Sequence, residues 1–150
     1  LFYEEISLLD DFLKAEQMRI GFNYHINHSA FPENLCIAHS FIQPILENAI
    51  KHGITGRKNG EGKITVNISQ PYKNMVRCEI IDNGQGYRVS DTMKKNKNMQ
   101  SMGLTIIRER LKIYSSLLRR DLKLVISPCE NGVRFQGTKV TIDIPAKIME

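Results

Sequence analysis

Three short stretches hold residues that could do chemistry. The first is HSFIQPILENAIKHGI, residues 39–54, where Glu47, Asn48, Lys51 and His52 crowd one edge of a helix expected from its period. A surface helix usually carries charge at such positions, so a carboxamide between an acid and two basic groups needs a reason. The second is DNGQG, Asp82 to Gly86, directly after a strongly alternating strand. An acid at the end of a buried strand needs donors. Gly84 and Gly86 would let a ligand approach the backbone closely. Asp-Asn-Gly alone also fits a tight turn, but no strand resumes after two residues. The third is QSMGLTIIRERL, in which Ser101 or Met102 precedes a helix beginning near Gly103. Free amides at such a helix start bind phosphate readily, although most helix starts bind nothing. Gly137-Thr138, opening the last strand, carries little meaning alone.

The elements that must position these residues follow from periodicity. SLLDDFLKAEQMR starts with a capping-box pattern, Ser7 and Asp10, and predicts a helix to about Arg19. RIGFNYHIN alternates, with Ile20, Phe22, Tyr24 and Ile26 on one parity; SAFPENL reads as a turn. The helix from about His39 to Ile54 buries Phe41, Ile42, Ile45, Leu46, Ala49 and Ile50, and Gly53 is placed to end it. KITVNIS and MVRCEIID predict a hairpin, GLTIIRERLKIYSSLL a helix with Leu104, Ile107, Leu111, Tyr114 and Leu118 on one face, and LKLVIS and KVTIDIP two closing strands. The long polar segment after DNGQG, with Lys94, Lys95 and Lys97, reads as a lid or a disordered loop. Strands paired as hairpins predict an α+β fold. It would be a two-layer sandwich with a mostly antiparallel mixed sheet of about five strands and about three helices on one face.

Composition narrows the classes. At 150 residues the chain reads as one globular unit, with no run near the roughly 18 apolar residues of a membrane span. Three widely spaced cysteines without CxxC exclude a disulfide framework and a zinc ribbon, and suit a reducing cytosol. His25, His28, Cys36 and His39 have ligand-like spacing, but His25 and His28 would point to opposite strand faces, so a zinc site is not expected. GRKNGEGKI is not a P-loop: Arg57 stands where the first Gly belongs, and Ile64 follows Lys63. The net charge of +5 suits an anionic partner such as nucleotide phosphates; nucleic acid would rest on charge alone and is not expected.

ENAIKHG, DNGQG, SMGL before an amphipathic helix, and GT before a terminal strand occur in that order. They resemble the N, G1, G2 and G3 boxes of the GHKL (Bergerat-fold) ATPases, which include gyrase, a heat-shock chaperone, MutL and histidine kinases. IQPILENAIKHGI is closer still to sensor histidine kinases of the LytS type, whose usual form is LQPLVENAIKHG. The resemblance implies that residues 20–150 are an ATP-binding catalytic domain and residues 1–19 a helical lead-in. On it, Asn48 would bind Mg²⁺ through its amide oxygen, a hard ligand for a hard ion, and the ion would hold the phosphates of ATP. Lys51 and His52, three and four residues on, would meet phosphates or ribose. Asp82 would accept a hydrogen bond from the adenine amine, which guanine cannot offer there. Gly84 and Gly86 would make room for the base and the lid hinge. Ser101, Met102, Gly103 and Leu104 would form the phosphate-side box, with amides of Gly103 and Leu104 on the phosphates. Thr138 would support the adenine pocket, directly or through water.

The departures from the family pattern are informative. Ser101-Met102-Gly103 replaces the usual Gly-x-Gly, and Ala38 and His39 stand where two prolines are common. In the gyrase branch an acid four residues before the Asn activates water; here that residue is Pro44, and Glu47 points about 100° away. Slow hydrolysis is therefore expected, as suits a kinase that saves its phosphoryl group for a protein. The acceptor histidine matches none of His25, His28, His39 or His52. It is expected on a separate dimerisation domain before Leu1, in a membrane-anchored bacterial parent that serves a response regulator. The alternative is a nucleotide-binding regulator of the same fold without transfer activity, which only the Ser101-Met102 departure supports.

Overall fold

The computed structural model describes residues 1–55, 57–58, 60–84, 86, 102–131 and 134–150. In order they form α1 (Phe2–Ile20), β1 (Phe22–His28), β2 (Leu35–Ile37), α2 (Ile42–Asn48) continued by a π-helical segment (Ala49–Ile54), β3 (Gly62–Tyr72), β4 (Met75–Asp82), α3 (Met102–Leu118), β5 (Leu124–Asn131) and β6 (Arg134–Ile148).

The six strands form one sheet in the order β1-β3-β4-β6-β2, with β5 also on β6. Only β1 and β3 run parallel, and the stretch from β2 to the π-helical segment connects them. Alternation sets the core face. Ile64, Val66 and Ile68 of β3, Val76, Cys78 and Ile80 of β4, and Val140, Ile142 and Ile144 of β6 share one parity and are buried. The apolar residues of all three helices enter that same core, among them Leu9 and Leu13, Ile45 and Leu46, Ile107 and Leu111. Each such side chain contributes about 1.5–3 kcal/mol when fully buried. The two-layer α+β sandwich is therefore as expected, with one strand more than the sequence suggested.

The extra strand is β2, whose first residue, Leu35, falls in the stretch expected as a turn. It has too few residues to show a period, and it forms because Leu35 buries its side chain and pairs with Ile148 at the far end of β6. The first helix starts at Phe2 rather than near Ser7: the Phe2 ring is fully buried and packs on Phe31 with centroids 4.4 Å apart, which adds a turn. The Leu1 amino group donates to Glu4 at 3.0 Å, and Gly21 ends α1 at φ 67. α2 starts at Ile42, not His39, because Ser40 holds φ 60. That turn is pinned from both sides. Glu5 accepts from the Ser40 amide, and Arg110 donates to the carbonyls of His39 and Ser40 while lying 4.2 Å over the Phe41 ring. Leu118, assigned to the buried face of the last helix, is 42% exposed where the chain turns away at Arg119.

On the opposite sheet face Asp143 is buried and paired bidentately by Arg77, Nε to Oδ1 at 2.8 Å and Nη2 to Oδ2 at 3.2 Å. Removing the cation strands a buried carboxylate, the costly way to break such a pair. Arg77→Met is expected to lower stability by about 3 kcal/mol in urea unfolding; a loss below about 0.5 kcal/mol, the surface-substitution range, would contradict this role.

Candidate nucleotide-binding site

The register brings two distant motifs together. Asp82 ends β4 opposite Thr138 on β6 and Ile64 on β3. Its side chain faces the core layer and the residue is 4% exposed. The Gly84 amide donates to Asp82 Oδ1 at 2.8 Å, and the nearby Thr138 backbone amide also favours the charged carboxylate. Burial pushes the Asp82 carboxyl above its ordinary pKa, while the two amides and the charge of Arg57 pull it back. A carboxylate offers about four acceptor positions. The Gly84 amide uses one, so an incoming N–H donor has acceptor capacity left.

Three glycines allow this packing. A Cβ on Gly53 would lie 2.8 Å from Asp82 Cγ and Oδ1. A Cβ on Gly84 would overlap the Gly53 carbonyl, and one on Gly137 would overlap the Asp82 carbonyl. Gly137 also holds φ 98, a conformation that side chains disfavour. Gly53 does not end its helix, as the sequence suggested. The helix widens after Asn48 and runs to Ile54, and the Thr55 amide reaches back five residues to the Ile50 carbonyl at 2.9 Å. Such π segments recur at functional sites. Here it carries Gly53 against Asp82.

Asn48 sits where the α-helix becomes π-helix. It is half-buried, and its amide makes no hydrogen bond among the described residues. Lys51 and His52 follow in the π segment and are exposed. At the other end of α2, Gly103 packs on Pro44: a Cβ there would stand 3.3 Å from Pro44 Cβ. The third box therefore abuts the Asn48 helix, with Leu104 half-buried and Met102 exposed at the start of α3. Gly86 holds φ 83. Ser101 and the lysine-rich segment lie outside the described residues.

Two contributors carry no local signal in the sequence. The need for glycine at 137 comes from the β4–β6 pairing. Arg57 stands in a loop with no motif of its own. Its Nη2 donates to the Gly84 carbonyl at 3.2 Å, and its buried Nε–H lacks an acceptor among the described residues. No local pattern announces either one.

A two-layer sandwich in which a buried acid at a strand end meets glycines from three separated segments, beside a helix with an uncommitted amide, is the GHKL type of ATP-binding domain. The chain belongs to the family of histidine kinase-, DNA gyrase B- and HSP90-like ATPases, whose model matches residues 37–148. It is 33% identical over 123 residues to the sensor histidine kinase/phosphatase LytS of Staphylococcus aureus, an alignment covering 81% of this chain and 20% of that protein. It is 32% identical over 114 residues to the sensor histidine kinase YpdA of Escherichia coli, covering 73% of this chain and 20% of the relative. The chain thus spans about one fifth of the length of these curated relatives. Among solved structures, the catalytic domain of the histidine kinase ThkA superposes with a TM-score of 0.68 at 16% identity, over 96% of this chain and 91% of that one. The mycobacterial sensor histidine kinase MprB superposes with a TM-score of 0.64 at 16% identity, over 96% and 95%. The fold expected from the resemblance is the fold observed.

The glycine packing gives a direct test. Gly53→Ala is expected to push Asp82 from its place and to cost about 1–3 kcal/mol of stability in urea unfolding, the range for overpacking. An alanine variant as stable as the parent would show that the contact is not tight.

Proposed function

We propose that this chain is the catalytic domain of a sensor histidine kinase, which binds ATP so that its γ-phosphoryl group passes to a histidine of a separate dimerisation domain. The observation that carries the reading is Asp82: a buried, amide-bonded carboxylate with spare acceptor capacity, at the meeting point of three of the four boxes. Asp82 would accept from the adenine amine. The Thr138 amide and Gly84 hold the acceptor oxygens in place, and Gly86 gives room at the hinge of the following segment. Asn48 fits a hard divalent cation, having an amide oxygen without a protein partner among the described residues. When bound, Mg²⁺ would supply charge neutralisation on the phosphates. Lys51 and His52 would lie along the phosphates or ribose. Amides at the start of α3, at Gly103 and Leu104, would meet phosphate together with Ser101 and Met102.

Catalysis in this reading is positioning and electrostatics rather than covalent chemistry on this chain. Pro44, one turn before Asn48, offers no base for water and packs against Gly103. The site is then suited to hold ATP for another nucleophile. Family membership and kinship to sensor kinases support a response regulator as downstream partner. Membrane anchoring of the parent belongs to the same proposal; among the described residues no helix is long and apolar enough to cross a membrane.

Two variants and one reconstitution test this. Asn48→Ala is expected to abolish Mg²⁺-dependent ATP binding in calorimetry while far-ultraviolet circular dichroism stays unchanged; unaltered affinity would remove the metal role. Asp82→Asn must turn its single amide oxygen toward the base, and is expected to weaken ATP binding by about tenfold or more, a loss of at least roughly 1.4 kcal/mol. Equal affinity would take Asp82 out of the site. With labelled ATP and the dimerisation domain of the parent protein, an acid-labile phosphohistidine is expected; its absence would leave a nucleotide-binding regulator instead.

A further inference from the structure

Arg57 lies in the loop leaving the π-helical segment, its amide bonded to the Ile54 carbonyl at 3.1 Å. Its guanidinium reaches across to the loop after β4 and donates to the Gly84 carbonyl at 3.2 Å. Gly84 in turn donates its amide to Asp82, so one cation is linked through a single residue to the buried acid. The Arg57 Nε–H is buried without an acceptor among the described residues. Burying that donor is unfavourable, and a surface cation would gain nothing by staying there.

We propose that Arg57 is a positioning residue for adenine recognition: it ties the Asp82-Asn83-Gly84 turn to the end of the Asn48 helix and sets its positive charge on the loop that closes over Asp82. This rests on the reading of Asp82 as the adenine acceptor. The Gly84 amide already donates to that carboxylate, so a proton on it would set an O–H against the incoming amine, donor facing donor.

Burial drives Asp82 toward its neutral form, and the Arg57 charge opposes that. Among the described residues, the other elements packed around Asp82 bring it no charge. The π-helical segment presents Gly53, β3 presents Ile64, and β6 presents the Thr138 amide. Lys63 and Lys139, next to Ile64 and Thr138, alternate to the opposite sheet face, where Lys139 pairs with Glu79. Lys51 and His52 are exposed on the helix. Among the described residues Arg57 is therefore the charged side chain that acts on Asp82. The sign follows. ATP affinity is full while Asp82 is ionised and falls as pH drops through its pKa. Without Arg57 that pKa rises further, and the fall begins at higher pH.

The test uses the wild-type chain, Arg57→Gln, Arg57→Lys and Asp82→Asn. Carbon-13 NMR of the ligand-free protein follows the Asp82 carboxyl, and calorimetry follows ATP affinity from neutral to mildly acidic pH. In Arg57→Gln the Asp82 midpoint is expected to move up, and ATP affinity to fall from a correspondingly higher pH. For each unit of that movement, binding at the acid end would be about tenfold weaker than wild type. Arg57→Lys, which restores the charge, is expected to return both readouts toward wild type. An unmoved Asp82 midpoint in Arg57→Gln, or an unmoved pH profile of ATP affinity, overturns the inference. If Arg57→Gln does not fold, Arg57→Lys decides alone: a pH profile displaced as if no charge were present overturns it, and a wild-type profile upholds it. Asp82→Asn separates the two readings. ATP binding weakened there but untouched in Arg57→Gln defeats Arg57 only; binding untouched in both defeats the adenine reading as well.

Discussion

A carboxylate buried at the end of a central strand is unfavourable unless donors meet it, and the closed end of this sandwich is arranged around that requirement. Asp82 takes the space that a side chain at residue 53 would fill, while the backbone around it closes onto Gly84 and Gly137. Its hydrogen-bond donor is the Gly84 main-chain amide of its own loop, and the Thr138 amide of β6 also favours its charge; neither can be withdrawn by a rotamer change. The same contacts that satisfy the acid also set how closely the π-helical segment, the loop after β4 and the start of β6 approach. Fold closure and the proposed binding site share one set of interactions at this edge of the sheet. A defect there disturbs both.

The Asn48 helix extends that arrangement. At its front end the turn through Ser40 is held by Glu5 of α1 and Arg110 of α3, so two other helices position the helix start. Pro44 meets Gly103 one turn on. At its far end the change to π winding brings Gly53 onto Asp82, and Arg57 reaches back to the same loop. Asn48 lies between these fixed points, with the one amide in the site that has no protein task among the described residues. On the proposed reading, the base acceptor and the metal ligand would thus both stand on a braced scaffold. Preorganisation of this kind lowers the entropy that binding must overcome.

Much of this was legible from the sequence, and the reason is burial. The alternation of β3, β4 and β6 and the apolar stripe of the Asn48 helix are written directly into residue order, because one face of each must be apolar. All six residues assigned to that stripe are buried: Phe41, Ile42, Ile45, Leu46, Ala49 and Ile50. Asp82, Gly84 and Thr138 were singled out by type and order, and the register places Asp82 opposite Thr138. What was not legible depends on contacts between distant segments. β2 has no period and exists through its pairing with the end of β6. The early start of α1 reflects Phe2 meeting Phe31. The π winding, and the reading of Gly53 as a packing residue rather than a helix terminator, follow from an acid that lies elsewhere in the chain. Arg57 shows nothing in its neighbourhood of sequence, and its bond to Gly84 arises only once the loops meet.

The central claim is that Asp82 and Asn48 read the two ends of one ligand, the base and the metal-bound phosphates. A crystal structure with a non-hydrolysable ATP analogue and Mg²⁺ tests it most directly. The account predicts the exocyclic nitrogen of adenine about 3 Å from an Asp82 carboxylate oxygen, with the metal about 2.1 Å from the Asn48 amide oxygen. A base bound away from Asp82, or a metal held without Asn48, would contradict it.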